Sequence, residues 1–384
     1  MAHPTWFALA LAIPMTGAGC VGPLDRDAAP CDGVRAGDVE AFFATPGNPL
    51  FGGDYQRAHR LDDERTLWTF QDATLLDAAH EQVFTHNAAA LQTGECWTVL
   101  NAADGLPWLL ADQTELEHRW FWPLGGAMSA DGATFGLFLA ELVERGEHYL
   151  DHPEPVGVVL ATLDAATLDV VDIAPAPAGG PEIYGWSVTS DTDSTYLYSW
   201  CLRQWGWSDT GHDPACTGDV LLARVPRGEL TAAPQFWDGA EFQPDPAGAV
   251  SVFDRSHGDV RPTEVLYDAD RSVFVAVSKP GDWYGDTVYV DRSPDPFGPW
   301  TTTDTITVAP KCAPEHCNTY FASFAAGGRE GDYQIAISHN RWDGDGLDDP
   351  VVYRPTVFTV SADANLDTGE PTATTILTYP DPRE

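Results

Sequence analysis

The stretch Leu61-Asp-Asp-Glu-Arg-Thr-Leu-Trp-Thr-Phe70 joins an acidic turn to a strongly aromatic run of residues. Asp-rich segments favour turns, and aromatic and β-branched residues favour strands. The same order recurs four more times, in Ser129-Ala-Asp-Gly-Ala-Thr-Phe-Gly-Leu-Phe138, Ser190-Asp-Thr-Asp-Ser-Thr-Tyr-Leu-Tyr198, Tyr267-Asp-Ala-Asp-Arg-Ser-Val-Phe-Val-Ala276 and Ala326-Gly-Gly-Arg-Glu-Gly-Asp-Tyr-Gln-Ile335. The units begin roughly 55–80 residues apart, an irregular spacing that still leaves room for about four short strands in each unit.

Four-stranded units that repeat around an axis are typical of a β-propeller. Five such units fill residues 45–384, so the sequence predicts an all-β fold, a five-bladed β-propeller of four-stranded blades. A pair of β-sandwiches would contain similar strands and is the alternative, although it would not repeat the same order of turn and aromatic strand.

Several short segments resemble a known family of sugar-acting propellers. Gly52-Gly-Asp-Tyr55, the aromatic strand through Phe70-Gln-Asp72, and Phe84-Thr-His-Asn-Ala88 follow one another in this order. They resemble the five-bladed propellers of the glycoside hydrolase family 43 type, and most closely a related family, domain-of-unknown-function family 4185. The loop Pro296-Phe-Gly-Pro-Trp-Thr301 resembles one that is common in these propellers. The resemblance implies a protein that binds or acts on carbohydrate.

The resemblance also implies roles for three carboxylates. Asp54 matches the position of a general base that activates water, and Glu264 is the best candidate for the general acid, with Glu182 as the second choice. A general acid needs a pKa raised by burial. The corresponding strand of the second unit, His118-Arg-Trp-Phe-Trp-Pro-Leu-Gly-Gly126, lacks the aspartate that tunes the acid in these hydrolases. Hydrogen bonds to strand ends are the alternative role for Asp54 and Glu264, and catalysis is left open.

Aromatic and polar residues near these acids are candidates for contacting a sugar. Aromatic faces stack on apolar sugar faces, so the candidate substrate-binding residues are His86, Asn87, Trp120, Trp122, Trp186 and Tyr320. Each tryptophan is equally compatible with the core, and a histidine is often structural. A non-catalytic carbohydrate-binding or protein-binding surface module is therefore the alternative function.

Charge restricts the possible partners. The chain has 20 basic and 58 acidic residues, a net charge of −38. Such a chain repels nucleic acid and anionic lipid headgroups, so neither is expected as a partner. We expect a monomer that binds carbohydrate and contacts the membrane only through an anchor.

The N-terminus has the features of an export signal. An apolar run of signal-peptide length leads through Gly17-Ala-Gly19 into Cys20, which resembles a bacterial lipobox. We predict a signal peptide over 1–19, lipidation of Cys20, a tether over 20–44 and a propeller domain over 45–384, on the bacterial cell envelope. An ordinary secreted protein is the alternative.

Six cysteines remain after Cys20, and an oxidising compartment favours disulfides among them. Proximity along the chain suggests Cys201–Cys216 and Cys312–Cys317, which leaves Cys31–Cys96. Zinc binding by these cysteines is the alternative, although the paired C-x-x-C pattern of zinc sites is missing.

No cofactor is required by these motifs. Asp343, Asp345 and Asp348 lie in an Asp- and Gly-rich loop that could supply oxygen ligands to Ca²⁺. A solvated acidic loop is the alternative.

Overall fold

The computed structural model describes residues 31–77, 79, 81–101, 107–109, 119–144, 153–178, 182–201, 220–253, 261–279, 285–313, 316–325, 332–341, 352–362 and 372–376. Within these ranges the helical segments are α1, Val39–Ala44, and a 3₁₀ turn at Pro246–Gly248. The remaining elements are the strands β1 Val34–Arg35, β2 Leu50–Gly53, β3 Arg57–Arg60, β4 Arg65–Phe70, β5 Ala73–Leu76, β6 Gln82–Thr85, β7 Ala88–Thr93, β8 Cys96–Val99, β9 Arg119–Met128, β10 Thr134–Glu144, β11 Pro153–Asp164, β12 Val170–Pro175, β13 Glu182–Ser190, β14 Ser194–Cys201, β15 Leu222–Pro226, β16 Gln235–Trp237, β17 Phe242–Gln243, β18 Arg261–Asp268, β19 Val273–Lys279, β20 Thr287–Ser293, β21 Thr301–Val308, β22 Cys317–Ala325, β23 Asp332–Arg341, β24 Thr356–Ser361 and β25 Thr372–Ile376.

These strands form sheets in which chain neighbours pair antiparallel, as expected for propeller blades. The strand orders are β1-β8-β7-β4-β3, β12-β11-β10-β9, β13-β14-β15-β16-β17, β18-β19-β20-β21-β25, β22-β23-β24 and a small sheet β2-β5-β6. The second sheet is the four-stranded meander that the repeat predicts. Elsewhere β1, β17 and β25 extend the outer edges, and β25 does so by pairing parallel to β21.

The inner edges of five sheets are arranged in a ring. The edge strands β3, β9, β13, β18 and β22 each contact the next one, and β22 contacts β3. Buried side chains fill each interface between neighbouring sheets, represented by the pairs Leu67 with Phe135, Phe138 with Trp186, Tyr198 with Phe274, Val277 with Ile335, and Phe70 with Ala336. The all-β propeller prediction is therefore confirmed.

Side chains, rather than a continuous backbone ladder, bond neighbouring inner strands to each other. The backbone N–H groups of Val265 and Tyr267 in β18 donate to the hydroxyls of Ser187 and Thr189 in β13, at 2.9 and 2.8 Å. The Gln71 amide donates to the carbonyl of Pro123 at 3.2 Å. Edge strands leave backbone groups unpaired, so these polar side chains satisfy them where the blades converge.

The segment predicted as a tether contributes to the folded unit in its last residues. Helix α1 begins after Asp38, whose carboxylate accepts a hydrogen bond from the Ala41 N–H at 2.7 Å. Its Phe42 ring stacks on Trp97 at 4.6 Å and is fully buried. The compact unit starts at Asp32, ahead of the expected boundary at 45. The unit starts earlier because the apolar residues of α1 are buried against the first blade.

The cysteines agree with the predictions where they are described. Cys312 and Cys317 form a disulfide, and Cys31 and Cys96 are each disulfide-bonded. The side chains of Cys201 and Cys216, like Cys20 and the acidic loop with Asp343, Asp345 and Asp348, lie outside the described residues. None of the described helices is long and apolar enough to cross a membrane.

Candidate functional site

Asp54 lies in the short link between β2 and β3, where the chain passes from the small sheet to the first blade. Its N–H donates to the carbonyl of Asp72 at 3.0 Å, and its carbonyl accepts from the Gln71 N–H at 3.1 Å. The next residue, Tyr55, has a φ of 45°, in the left-handed region that side chains rarely adopt. Backbone bonds to a second segment thus hold a strained link in place, and strain of this kind is often found at functional sites.

The carboxyl of Asp54 is buried, and both of its oxygens accept hydrogen bonds. Only 7% of the residue is exposed, the Asp72 N–H donates to its Oδ1 at 3.0 Å, and the Tyr320 hydroxyl donates to its Oδ2 at 2.6 Å. Burial, followed by the negative charge of Asp72, raises the pKa of Asp54 to about 8, against the smaller opposing effect of its hydrogen bonds. At neutral pH this carboxyl therefore holds a proton that it can donate.

Asp72 connects Asp54 to a group of aromatic side chains. Its Oδ1 accepts from the Trp122 indole N–H at 2.9 Å and lies 3.1 Å from His86 Nδ1. A carboxylate accepts hydrogen bonds, so this geometry assigns the proton to Nδ1 of His86. The His86 ring stacks on Trp120 at 4.1 Å, and Trp120 meets Trp122 edge to face at 6.2 Å.

The side chains around Asp72 are partly exposed to solvent. The side chains of Asp72 and His86 are 14% and 17% exposed, and those of Trp122 and Tyr55 are also partly buried. A buried carboxyl beside partly exposed aromatic rings and a second carboxylate is an arrangement suited to a polar ligand with apolar faces.

Arg57 occupies the centre of the ring of inner strands. Its residue is fully buried, and its guanidinium carbon lies 4.8 Å from the ring centroid of Trp186 and 4.7 Å from that of Phe321. Burial lowers the pKa of Arg57 to about 10, and the charge of Glu264 opposes this effect. The guanidinium therefore stays charged at neutral pH, held by two aromatic faces.

Glu264 is partly buried and bonded to a neighbouring strand. Its Oε2 accepts from the Phe324 backbone N–H at 2.6 Å, across the contact between β18 and β22. Burial raises the pKa of Glu264 to about 7, and the charge of Arg57 opposes this effect. Tyr320 bonds Asp54 four residues before Phe324 on the same strand, a separation of roughly 13 Å at about 3.3 Å per residue. The two predicted acids are thus both bonded to β22, at Tyr320 and at Phe324.

Two other predicted residues, Asn87 and Trp186, make contacts typical of the protein interior. The Asn87 amide is fully buried, donates to the carbonyls of Leu109 and Phe121 at 3.0 Å each, and accepts from the Leu109 N–H at 2.7 Å. Trp186 is 1% exposed and supports Arg57. The side chain of Glu182 lies outside the described residues. Thus Tyr320 bonds Asp54, His86 and Trp122 bond the neighbouring Asp72, and Trp120 and Trp186 pack in the same aromatic cluster as Tyr320, whereas Asn87 is bonded elsewhere.

Sequence reasoning missed Asp72, Arg57 and Tyr353 as members of this region. The Tyr353 hydroxyl donates to the Asp72 carbonyl at 3.2 Å. Asp72 ends the aromatic strand motif, so its position in the sequence could have marked it as a site residue. No residue pattern marks Arg57 or Tyr353, because their roles depend on contacts with distant blades. The described part of the chain contains no cluster of His, Cys, Asp or Glu suited to a metal ion.

Comparisons with solved structures support the propeller fold. A candidate hydrolase from Bacteroides ovatus ATCC 8483 is similar with a TM-score of 0.67 and 14% identity, over 86% of this chain and 91% of that one. A family 43 β-1,3-galactosidase solved with galactodeoxynojirimycin is similar with a TM-score of 0.50 and 9% identity, over 88% and 97%. No curated protein sequence matches the chain significantly. A family model described as a domain of unknown function, DUF5005, matches residues 40–363.

Proposed function

The chain belongs to the DUF5005 family of unknown function, and we propose that it is a carbohydrate-active propeller that binds a glycan at Asp54 and hydrolyses it. The single observation that carries the proposal is the buried carboxyl of Asp54, bonded to the Asp72 N–H and the Tyr320 hydroxyl beside the partly exposed side chains of Asp72 and Trp122. The similar family 43 β-1,3-galactosidase, solved with a sugar mimic, supports the same class of ligand.

The proposal gives the two carboxyl groups different roles. Asp54 gives its proton to the glycosidic oxygen as the bond from that oxygen to the anomeric carbon breaks. A water molecule adds to the anomeric carbon and loses its proton to Asp72, the charged carboxylate beside Asp54. Transfer of that proton back to Asp54 restores the pair. The partly exposed faces of Trp122 and Tyr55 are available to stack on the sugar ring.

This assignment changes the roles that the family resemblance implied. A pKa of about 8 makes Asp54 a proton donor at neutral pH, rather than a base. Glu264 bonds the Phe324 N–H between two inner strands, and its pKa, raised by burial to about 7, also meets the requirement for a general acid.

A non-catalytic carbohydrate-binding module is the second candidate. It is favoured by the bonding of Glu264 within the ring, because the resemblance assigned the general acid to that residue. The partly exposed aromatic surface at Trp122 serves binding equally well without turnover, and a protein ligand is a further alternative at the same surface.

A screen of neutral and acidic polysaccharides separates these functions. Wild type should release reducing sugar from at least one of them, Asp54→Asn should bind the same glycan without releasing sugar, and Trp122→Ala should bind it weakly. Asp63→Asn is the matched control, since the Asp63 side chain is 99% exposed in a surface turn. Binding without release in wild type leaves the second candidate, and the absence of both overturns the proposal.

The cellular setting belongs to the same proposal. The disulfide-bonded cysteines support an oxidising compartment, so we take the chain to be exported, and anchored through Cys20, as a monomeric five-bladed propeller. Cys20→Ala should move the protein from the membrane fraction to the soluble fraction without changing its thermal stability. Ca²⁺ at the loop with Asp343, Asp345 and Asp348 should raise the melting temperature, whereas Mg²⁺ should not.

A further inference from the structure

One face of the fifth sheet is turned towards the link that contains Asp54. Tyr320 in β22 and Ser338 in β23 are cross-strand partners. The Tyr320 hydroxyl donates to Asp54, while the Ser338 hydroxyl accepts from the Tyr55 N–H at 3.0 Å and donates to the Gln56 side chain at 2.7 Å. Residues with the same orientation on these two strands therefore face the candidate site.

Asn318 and Asn340 are the next cross-strand pair on the same face. Residue 318 pairs with 340 just as 320 pairs with 338. Side chains two residues apart on a strand share a face and lie roughly 7 Å from each other. Thr319, between them, points the opposite way and contacts Lys279 of the fourth sheet. The asparagine pair thus continues the face that carries Tyr320 and Ser338.

The Asn318 amide has no hydrogen-bond partner among the described residues. Its Oδ1 and Nδ2 atoms, and the Oδ1 of Asn340, are buried and unpaired, and Asn318 is only 7% exposed. Other buried asparagines differ. The Asn48 amide donates to the Phe42 carbonyl at 2.8 Å, and the Asn87 amide is fully bonded. Buried amides without partners are rare, because they lose their bonds to water without replacement.

We propose that Asn318, together with Asn340, forms a subsite that hydrogen-bonds the hydroxyl groups of the sugar bound at Asp54, an inference that rests on the proposed function. An amide offers a donor and an acceptor, and a sugar hydroxyl both accepts and donates. A site built to bond a hydroxyl rejects a ligand that lacks it, because the buried amide is then left unpaired. Asn318 is therefore a specificity-determining residue for a neutral, hydroxyl-rich sugar unit.

Asn318→Leu tests this subsite, with Asn87→Leu as the structural comparison. Leucine matches asparagine in size and removes only the amide polarity. The melting temperature should stay equal or rise in Asn318→Leu, which loses no intramolecular bond, and should fall in Asn87→Leu, which loses three. Binding of the glycan that binds wild type most tightly in a panel including xylotriose, measured by calorimetry, should weaken at least tenfold in Asn318→Leu.

The outcomes separate this inference from the proposed function. A fall in melting temperature for Asn318→Leu as large as that for Asn87→Leu makes the amide structural and overturns the subsite. Unchanged glycan affinity in Asn318→Leu, beside weakened affinity in Trp122→Ala, overturns the subsite and leaves the proposed function standing. Failure of wild type to bind any glycan of the panel overturns both.

Discussion

Asp72 donates its backbone N–H to Oδ1 of Asp54 at 3.0 Å, while its own negative charge raises the pKa of the same carboxyl. The two effects oppose each other, because a hydrogen bond to the carboxylate favours its ionised form and a neighbouring negative charge disfavours it. Burial makes the largest contribution, and like the charge of Asp72 it raises the pKa of Asp54. The link between β2 and β3 thus keeps a proton on Asp54 beside side chains that are partly exposed to solvent.

Asp72→Asn should lower the pKa of Asp54 from about 8, because the neighbouring negative charge is removed while the backbone N–H stays. The pKa should remain above the ordinary value of 3.8, since burial is unchanged. Carbon-13 NMR titration of labelled aspartate carboxyls measures it directly. Asp63→Asn should leave it where it is, and an unchanged or higher value in Asp72→Asn would contradict the coupling.

Asp54 and Glu264 should make the free energy of unfolding decrease as the pH rises from about 6.5 to 8, above the range in which the buried His59 and His339, whose pKa values are lowered, have the opposite effect. The pKa values of Asp54 and Glu264 are raised in the folded state to about 8 and about 7, so the folded protein holds these protons where the unfolded chain has lost them. The stability they contribute is complete below the unfolded pKa values and disappears as the pH passes the folded ones.

Urea denaturation at pH 6.5 and pH 8, in high salt to screen the net charge of −38, measures this dependence. Asp54→Asn should reduce the difference in unfolding free energy between the two pH values by about 1 kcal/mol or more, since each pKa unit corresponds to 1.36 kcal/mol. Asp63→Asn should retain the wild-type difference. An Asp54→Asn protein with the wild-type pH dependence would refute the raised pKa.

Arg57 and Glu264 should stabilise each other at the centre of the ring. Arg57→Met keeps much of the side-chain volume between Trp186 and Phe321 but leaves the Glu264 carboxylate without its compensating charge. We expect a loss of about 3 kcal/mol, as is typical when one member of a buried charge pair is removed. Arg57→Met with Glu264→Gln should recover part of this loss, and a double-mutant cycle measured by urea denaturation gives the coupling. Strictly additive losses would mean that the two charges do not interact.

Helix α1 provides a test of where the folded unit begins. Phe42→Ala should lower the free energy of unfolding by about 3 kcal/mol, because it leaves a cavity against Trp97 in a fully buried cluster. Glu40→Ala, on the same helix, is the partner variant and should cost less, since it leaves no cavity and loses the hydrogen bond from the Val357 N–H and the attraction to Lys311. Thermal denaturation of both variants measures the two losses of stability. A tether would tolerate either substitution without a change in stability.

The fold could be predicted from local signals, because each blade repeats a turn and an aromatic strand that pair with neighbours along the chain. Asp54 could be found for the same reason, because its motif is followed along the chain by the aromatic strand that Asp72 ends. The contacts that define the site could not. Tyr320 reaches Asp54 from 266 residues away, and the bond between Glu264 and the Phe324 N–H depends on how two blades meet. Tryptophans give the clearest example, since Trp122 is partly exposed and Trp186 supports Arg57 from the interior, and their local sequences do not distinguish them.

Trp122 combines two functions that one substitution can separate. Its indole N–H donates to Asp72 at 2.9 Å, and its partly exposed ring is available to stack on a sugar. Trp122→Phe keeps an aromatic face and removes the donor, whereas Trp122→Ala removes both. We expect glycan affinity, measured by calorimetry, to change less than about threefold in Trp122→Phe and to weaken at least about tenfold in Trp122→Ala, since stacked aromatic faces contribute on the order of 1 kcal/mol.

Loss of the indole N–H in Trp122→Phe should reduce the rate of turnover rather than the affinity for the glycan. Asp72 then keeps the contact with His86 but loses one of the two groups that hold its carboxylate, so the rate of sugar release should fall while the affinity is retained. His86→Asn removes the other contact together with the ring that stacks on Trp120, and should reduce both quantities. Equal loss of affinity in the Phe and Ala variants would show that the indole N–H, rather than the ring, contributes to glycan binding, and would remove Trp122 as a stacking surface.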